Sequence, residues 1–166
     1  MGASFSLDSA GKIVFNGAKW IKVEFKGRPM FRGSSFHTID AKGRIIIPAR
    51  FRELIRNGDK PGVMLTKLDN GLVAYPFEQW SEIEEKILSL AEKNDTMRRF
   101  RRVFIGGAFE CLCDSQERIL VPPTLREYAG FEKEIVLVGV LDHFEIWSKE
   151  NWEQENAKLE LDMQQE

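Results

Sequence analysis

With 166 residues the chain has room for one compact body or two very small ones, and its 43% hydrophobic and 30% charged residues are the balance of a soluble globular protein. No apolar run approaches the roughly 18 residues that cross a bilayer, and the N-terminus lacks the charged head and apolar core of a secretory signal. A net charge of −2 excludes a uniformly basic nucleic-acid coat.

The charge is unevenly spread. From Asp40 to Lys60 six Lys and Arg face three acids, a net of +3, and Met97 to Arg102 holds four arginines and no acid. From Glu145 to the end, seven acids face two lysines, a net of −5, so a basic working face with an acidic far side is expected.

Residues 1–29 read as an N-terminal extension. Val14 to Phe25 suits one or two strands, with Asn16-Gly17 as a hairpin turn. Lys26-Gly27-Arg28 ahead of Met30 can be encoded by a purine-rich stretch resembling a ribosome-binding site, so Met30 is the expected natural start. The intact mass of protein from its own source decides this.

A first unit spans 34–76. Phe36 to Ile39 predicts a strand and Asp40-Ala-Lys-Gly43 a tight turn, with Asp at its first position and Gly at the left-handed one. Ile45-Ile46-Ile47 predicts a strand buried on both faces, and Pro48 opens a helix over Ala49 to Arg56 that Asn57-Gly58 closes. Val63 to Leu68 and Leu72 to Tyr75 make a hairpin around Asp69-Asn70-Gly71.

The connector, 77–104, carries an apolar stripe of Trp80, Ile83, Ile87, Leu90 and Ala91 at helical spacing. Asp95 is expected to cap a further helix that carries Arg98, Arg99, Arg101 and Arg102 around Phe100 and Val103. A second unit, 105–148, follows: a strand to Cys113, a turn from Asp114 to Arg118, a strand over Ile119 to Val121, a helix after Pro122-Pro123 and a Val136 to Trp147 hairpin. Residues 149–166 predict an amphipathic helix with Trp152, Leu159 and Met163 on one face, acidic and frayed at its end.

Cys111 and Cys113 share a strand face and cannot easily bridge each other, so reduced, buried thiols and the cytosol are expected. With His37 and His143 far apart, no metal-ligand spacing occurs, and no cofactor is expected.

Asp40-Ala-Lys-Gly-Arg44-Ile-Ile-Ile-Pro48 recurs as Asp114-Ser-Gln-Glu-Arg118-Ile-Leu-Val-Pro122 at a constant shift of 74, which also aligns Arg52-Glu53 with Arg126-Glu127. Leu68-Asp69 then aligns with Leu141-Asp142, and Glu78-x-Trp80 with Glu150-x-Trp152, after small gaps. This is a duplicated supersecondary unit.

Met30-Phe-Arg-Gly33, His37-Thr-Ile-Asp-Ala-Lys-Gly-Arg44 and Asp114-x-x-x-Arg118 resemble the MraZ family of bacterial transcription regulators, over about residues 30–166. The resemblance implies an α+β fold: two tandem AbrB-like swapped-hairpin units forming one pseudo-symmetric β-barrel, with short helices and a helical connector. It also implies a ring-like homo-oligomer, of eight or more subunits, that binds direct repeats of double-stranded DNA in its own promoter. The regulated genes would be the division and cell-wall cluster, with repression the expected sense and a cytoplasmic, nucleoid-associated location.

The two turns differ in charge. The first has Lys42 and Arg44 against Asp40, and the second has Arg118 against Asp114 and Glu117. Carboxylates repel phosphate and forfeit counterion release, and Glu117 replaces Gly43, the residue most tolerant of the left-handed position. The first unit is therefore expected to face DNA and the second to have lost that role.

For Arg44, a structural ion pair with Asp40 competes with a bidentate contact to guanine, with Lys42 on phosphate. Arg118 with Asp114 favours the ion pair. Gly43 belongs to the DNA-facing turn, and Arg32, near Met30, is a further candidate. The connector arginines fit either phosphates or acidic residues of a neighbouring subunit, the Glu-rich 78–85 helix supplying candidates. No glycine-rich phosphate loop or nucleophile–base pair supports an enzyme or a small-molecule substrate. A protein-interaction module of the antitoxin kind is the other rival, weakly supported by the acidic tail.

Overall fold

The computed structural model describes residues 30–57, 60–90 and 94–165, together with three short strands nearer the N-terminus. Asn16-Gly17, Gly58 and Ala91, to which a turn, a helix end and a stripe position were assigned, lie outside the described residues. The chain divides into two units, Pro29–Asn151 and a smaller one drawn from Met1–Arg28 and Trp152–Glu166. In the smaller unit β1 (Phe5–Leu7), β2 (Ile13–Phe15) and β3 (Lys19–Ile21) form an antiparallel sheet in chain order.

The larger unit is mixed α and β. Its elements are β4 (Ser34–Thr38), β5 (Arg44–Ile46), α1 (Ala49–Arg52), β6 (Arg56–Asn57), β7 (Lys60–Leu68) and β8 (Gly71–Tyr75), then α2 (Phe77–Ser89), α3 (Asp95–Phe100) and a π-helical stretch Arg101–Ile105. There follow β9 (Phe109–Leu112), β10 (Arg118–Leu120), α4 (Pro123–Ala129), β11 (Glu134–Gly139) and β12 (Phe144–Ser148), and α5 (Lys149–Gln164) runs on past the boundary.

The two copies are interleaved, with strands paired across the copies as well as within each hairpin. β4 of the first copy lies antiparallel to β11 of the second, with Phe36 opposite Val136, while β9 of the second lies antiparallel to β7 of the first, with Cys111 opposite Val63. The strands after the two turns, β5 and β10, form their own two-stranded ribbon. The rest is one antiparallel sheet in the order β4-β11-β12-β8-β7-β6.

The hairpin loops differ. Asp69 and Asn70, with φ of 55° and 69°, make the two-residue turn closed by Leu68 opposite Gly71. The second copy closes at Gly139 opposite Phe144, and Leu141 sits in the longer loop at φ 79°, bridged to Phe31. Leu141 is thus a loop residue and not the strand counterpart of Leu68.

Ile45, Ile47, Ile119 and Val121 from the ribbon meet Leu65, Leu72, Ile135 and Leu137 of the sheet in the main core. Phe31, Phe51 and Phe144 meet within it in edge-on and tilted contacts, at 5.0 to 5.5 Å between ring centroids. Full burial of such side chains contributes about 1.5–3 kcal/mol each. Ile46 departs from the expectation of two-sided burial: it is 58% exposed, because β5 belongs to a surface ribbon with a single covered face. The first helix also ends early, at Arg52. Ile55 O accepts from Gly62 N, and Arg56 pairs with Pro61, which draws the chain into a strand instead.

A second cluster holds the connector. Trp80 and Ile87 of α2 pack with Val73 and Phe104, Trp80 stacking on Phe104 at 5.4 Å, whereas Leu90 is exposed. Asn94, not Asp95, caps α3, its Oδ1 accepting from Met97 N at 2.8 Å. Phe100 and Val103 are exposed, and Phe104 is the anchor, its carbonyl accepting from buried Thr66 Oγ1 at 2.6 Å. On α5, Leu159 and Met163 are exposed.

Candidate nucleic-acid interface

Both turns are built the same way. Asp40 Oδ1 accepts from Lys42 N and Arg44 N, each at 2.9 Å, and its Oδ2 accepts from Arg44 Nε at 2.6 Å. Asp114 Oδ1 accepts from Gln116 N and Arg118 N at 2.8 and 2.9 Å, and its Oδ2 from Arg118 Nε at 2.9 Å. Backbone bonds from Gly43 N to Asp40 O and from Glu117 N to Asp114 O close each loop at 3.0 Å. The N–H groups of Arg44 and Arg118 are the chief cause holding the two carboxyls below their usual range, so both stay ionised. Each aspartate organises its own loop, which is the structural role weighed for the pair.

That role does not exhaust the arginine. Arg44 binds Asp40 through Nε, and among the described residues its two Nη atoms make no hydrogen bond. A guanidinium steered from behind by a carboxylate keeps its outer fork for a further acceptor.

Glu117 takes the left-handed backbone at φ 65° much as Gly43 does at 87°, so replacing glycine has not broken the second turn. Conformational intolerance is therefore not what separates the copies. Charge is, and two residues that sequence reasoning aligned without giving them a role contribute to it. Arg52 of α1 reaches the second copy's turn and pairs with the Glu117 carboxylate. Arg126 of α4, its counterpart, lies under the first copy's turn, where a Cβ on Gly43 would fall 2.6 Å from the guanidinium carbon. Each turn is thus floored by an arginine of the other copy, and the Nε of both is buried without a hydrogen-bond partner.

The two sites differ accordingly. Around the first turn stand Lys42, Arg44 and Arg126 against Asp40, three cations to one acid and a net of +2. Around the second stand Arg118 and Arg52 against Asp114 and Glu117, which cancel. The ribbon separates them. Val121 N donates to Gly43 O and Ile47 N to Glu117 O, so the turns lie at opposite ends of the β5–β10 ladder, four residues or roughly 13 Å apart. The constant shift of 74 was the signal available for Arg52 and Arg126; their crossing to opposite turns was not in it.

Other candidates fall elsewhere. Arg32 is exposed but lies before β4, at the opposite end of that strand from the turn, roughly 26 Å along extended chain. Arg98, Arg99, Arg101 and Arg102 ride on α3 and the π-helical stretch, which packs on β7 and not on the ribbon; Arg98 pairs with Asp95. His37 Nε2 is 2.7 Å from Ser35 Oγ, its pKa lowered by burial and then by Arg50. His143 stacks on Tyr75 at 4.4 Å with Nδ1 2.7 Å from Asp142. Both histidines have structural partners. Among the described residues no group of three or more His, Cys, Asp or Glu could hold a metal ion, and no helix is long and apolar enough to cross a membrane.

A duplicated α+β unit, with strands paired across its copies and a charged loop at each end of a surface ribbon, is the class of protein that the fold and the site define. Comparison with known proteins makes this particular. The family described as "MraZ protein, putative antitoxin-like" matches residues 30–103 and again 104–166. Curated relatives named "Transcriptional regulator MraZ" include one from Desulforapulum autotrophicum, 62% identical over 135 residues, covering 81% of this chain and 91% of the relative. Another, from Desulfosudis oleivorans, is 55% identical over 137 residues, covering 82% and 92%, and one from Desulforamulus reducens is 50% identical, covering 82% and 94%. The chain belongs to the MraZ family.

Proposed function

We propose that this chain is a sequence-specific, DNA-binding transcriptional regulator whose first turn is its reading head. The observation that carries this is two turns of matching hydrogen bonding whose surroundings differ by two unit charges, with the positive one carrying an arginine fork that has no hydrogen-bond partner among the described residues. Arg44 reads a guanine edge, Lys42 contacts phosphate, and Gly43 lets Arg126 lie beneath the loop and add to the local potential. Arg118 and Asp114 are scaffold. Arg32 is at most an outlying phosphate contact, and the connector arginines serve contacts between subunits, with acids of α2 as counterparts.

The cross-copy strand pairing supports two swapped-hairpin units, 34–76 and 105–148, closed into one pseudo-symmetric barrel and joined by the 77–104 connector. A single turn reads only a few bases. Selectivity comes from a ring-like homo-oligomer in which one docked turn raises the effective DNA concentration for its neighbours, on direct repeats about one helical turn, roughly 10 bp, apart. The operator is the promoter of the chain's own gene at the head of the division and cell-wall cluster, which the regulator represses in the cytoplasm, associated with the nucleoid.

The test is fluorescence anisotropy of the full chain on DNA upstream of its own gene, at two salt concentrations, beside Arg44→Ala and Arg118→Ala. Loss of repeat-specific binding in Arg44→Ala alone is expected. Parent-like binding by both variants overturns the assignment and turns attention to the connector arginines.

A further inference from the structure

The sheet register adds a second group to the reading head, and it comes from the copy that lacks the basic turn. Arg44 stands directly opposite Leu120, and Ile46 opposite Arg118. The backbone bonds that flank the ladder fall at the pairs 43/121 and 47/117, so 44/120 and 46/118 occupy the alternate, non-bonded positions. There Cα atoms approach to about 4.5 Å and side chains are closest. The inner face of the ribbon, Ile45 and Ile119, is fully buried, whereas Leu120 is 55% exposed on the outer face beside Arg44. An exposed leucine fixed next to an arginine fork on a two-stranded ribbon calls for a partner that is both anionic and locally apolar.

We propose that Leu120 contacts the C5 methyl of a thymine in the major groove, within two base pairs of the guanine read by Arg44, so that each reading head is a composite of the two copies. The proposal rests on the DNA reading above. A two-stranded ribbon fits the major groove, and the thymine methyl is the one apolar group displayed on its floor. Stacked base pairs are 3.4 Å apart, so side chains on Cα atoms about 4.5 Å apart meet the same or adjoining pairs. The surrounding charge favours DNA over a second copy of this chain: Lys42, Arg44 and Arg126 supply attraction for phosphate at this end. Ile46, the counterpart of Leu120, faces Arg118 at the end that also carries Asp114 and Glu117, where the cations are neutralised.

The experiment replaces thymines of the upstream repeat one at a time by deoxyuridine, which keeps base pairing and removes only the methyl. The full chain, Leu120→Ala and Ile46→Ala are titrated on each duplex, with circular dichroism melts and sedimentation of every variant. One thymine beside the Arg44-dependent guanine is expected to lose about fourfold in affinity without its methyl, the worth of one buried carbon. That dependence disappears in Leu120→Ala and persists in Ile46→Ala.

Repeat-specific binding with no thymine-methyl dependence, or a dependence that survives in Leu120→Ala, overturns this assignment and leaves the Arg44 reading standing. A Leu120→Ala variant that changes oligomer size while the parent shows no methyl dependence gives the patch to a second copy instead. Absence of any repeat-specific binding by the parent overturns both.

Discussion

Gly43→Glu gives the first turn the acidic residue that the second carries, and the structure sets its consequences. The backbone there has φ 87°, which costs a residue with a side chain about 1 kcal/mol. Glu117 bears that cost in the equivalent turn, where its carboxylate pairs with Arg52. A glutamate at 43 would find Arg126 in the corresponding place once that flexible side chain swings clear of the new Cβ. A partly exposed pair of this kind returns about 0.5 kcal/mol. Net destabilisation of roughly 0.5 kcal/mol should lower Tm by about 1–2 °C. DNA binding should suffer far more, because the charge around the turn falls from +2 to +1 and the phosphate contact supplied there is lost. One contact contributes about 0.9 to the slope of log K against log salt, worth about eightfold at 0.1 M for each chain engaged. The assay is anisotropy across a salt series, paired with a thermal melt. Parent-like binding would show that the first turn does not face DNA. A melt lowered by ten degrees or more would refute the equivalence of Arg126 and Arg52.

The reciprocal change, Glu117→Gly, frees Arg52 and should steepen the salt dependence of DNA binding by about 0.9 without new sequence preference, read in the same titrations. Asp40 and Asp114 have folded pKa values held below the usual 3.8, so their contribution to turn stability is complete above that pH and is lost as pH falls through the lowered values. Carboxyl carbon NMR should show both titrating below 3.8, with the amides of Lys42, Arg44, Gln116 and Arg118 shifting in step. Cys111 is buried with its thiol pushed up to about 12 by burial, and Cys113 is raised for the same first reason, so neither should react with a thiol reagent at pH 8 until denaturant unfolds the chain. Inverting one of two adjacent operator repeats should reduce affinity to that of a single repeat, measured by anisotropy on matched duplexes.

Much of the fold could be read locally. Turn chemistry at Asp40–Gly43, proline before a helix and short runs of branched apolar residues each act over a few neighbours, and the duplication exposed every one of them twice. What could not be read was long-range. Ile46 looks like Ile45 and Ile47 in sequence, yet one strand face is covered and the other is not, because only the Ile45 and Ile47 face packs against the main sheet. The first helix stopped at Arg52 because β7 offered Arg56 and Asn57 a backbone partner, overriding helix propensity. At the site, the pairing of each Asp with its Arg was legible because it spans four residues. The floors of the turns were not, because Arg52 lies 65 positions before Glu117, and Arg126 lies 83 positions after Gly43.

That crossing explains what duplication within one chain makes possible. In a true homodimer of identical units both ends of the ribbon would carry the same turn and the same floor, and a two-fold symmetric reader calls for palindromic half-sites. Fusing the copies lets the ends diverge without touching the shared core, since position 43 or 117 alters only the turn and the arginine beneath it. Here one end keeps glycine and a net of +2, and the other gains glutamate and neutrality. On the proposed reading the chain acquires a direction, with one reading end and one silent end along a fixed ribbon axis. A directional reader repeated around an assembly matches sites that all point the same way, so the charge difference between two otherwise equal loops is itself an argument for direct rather than inverted repeats.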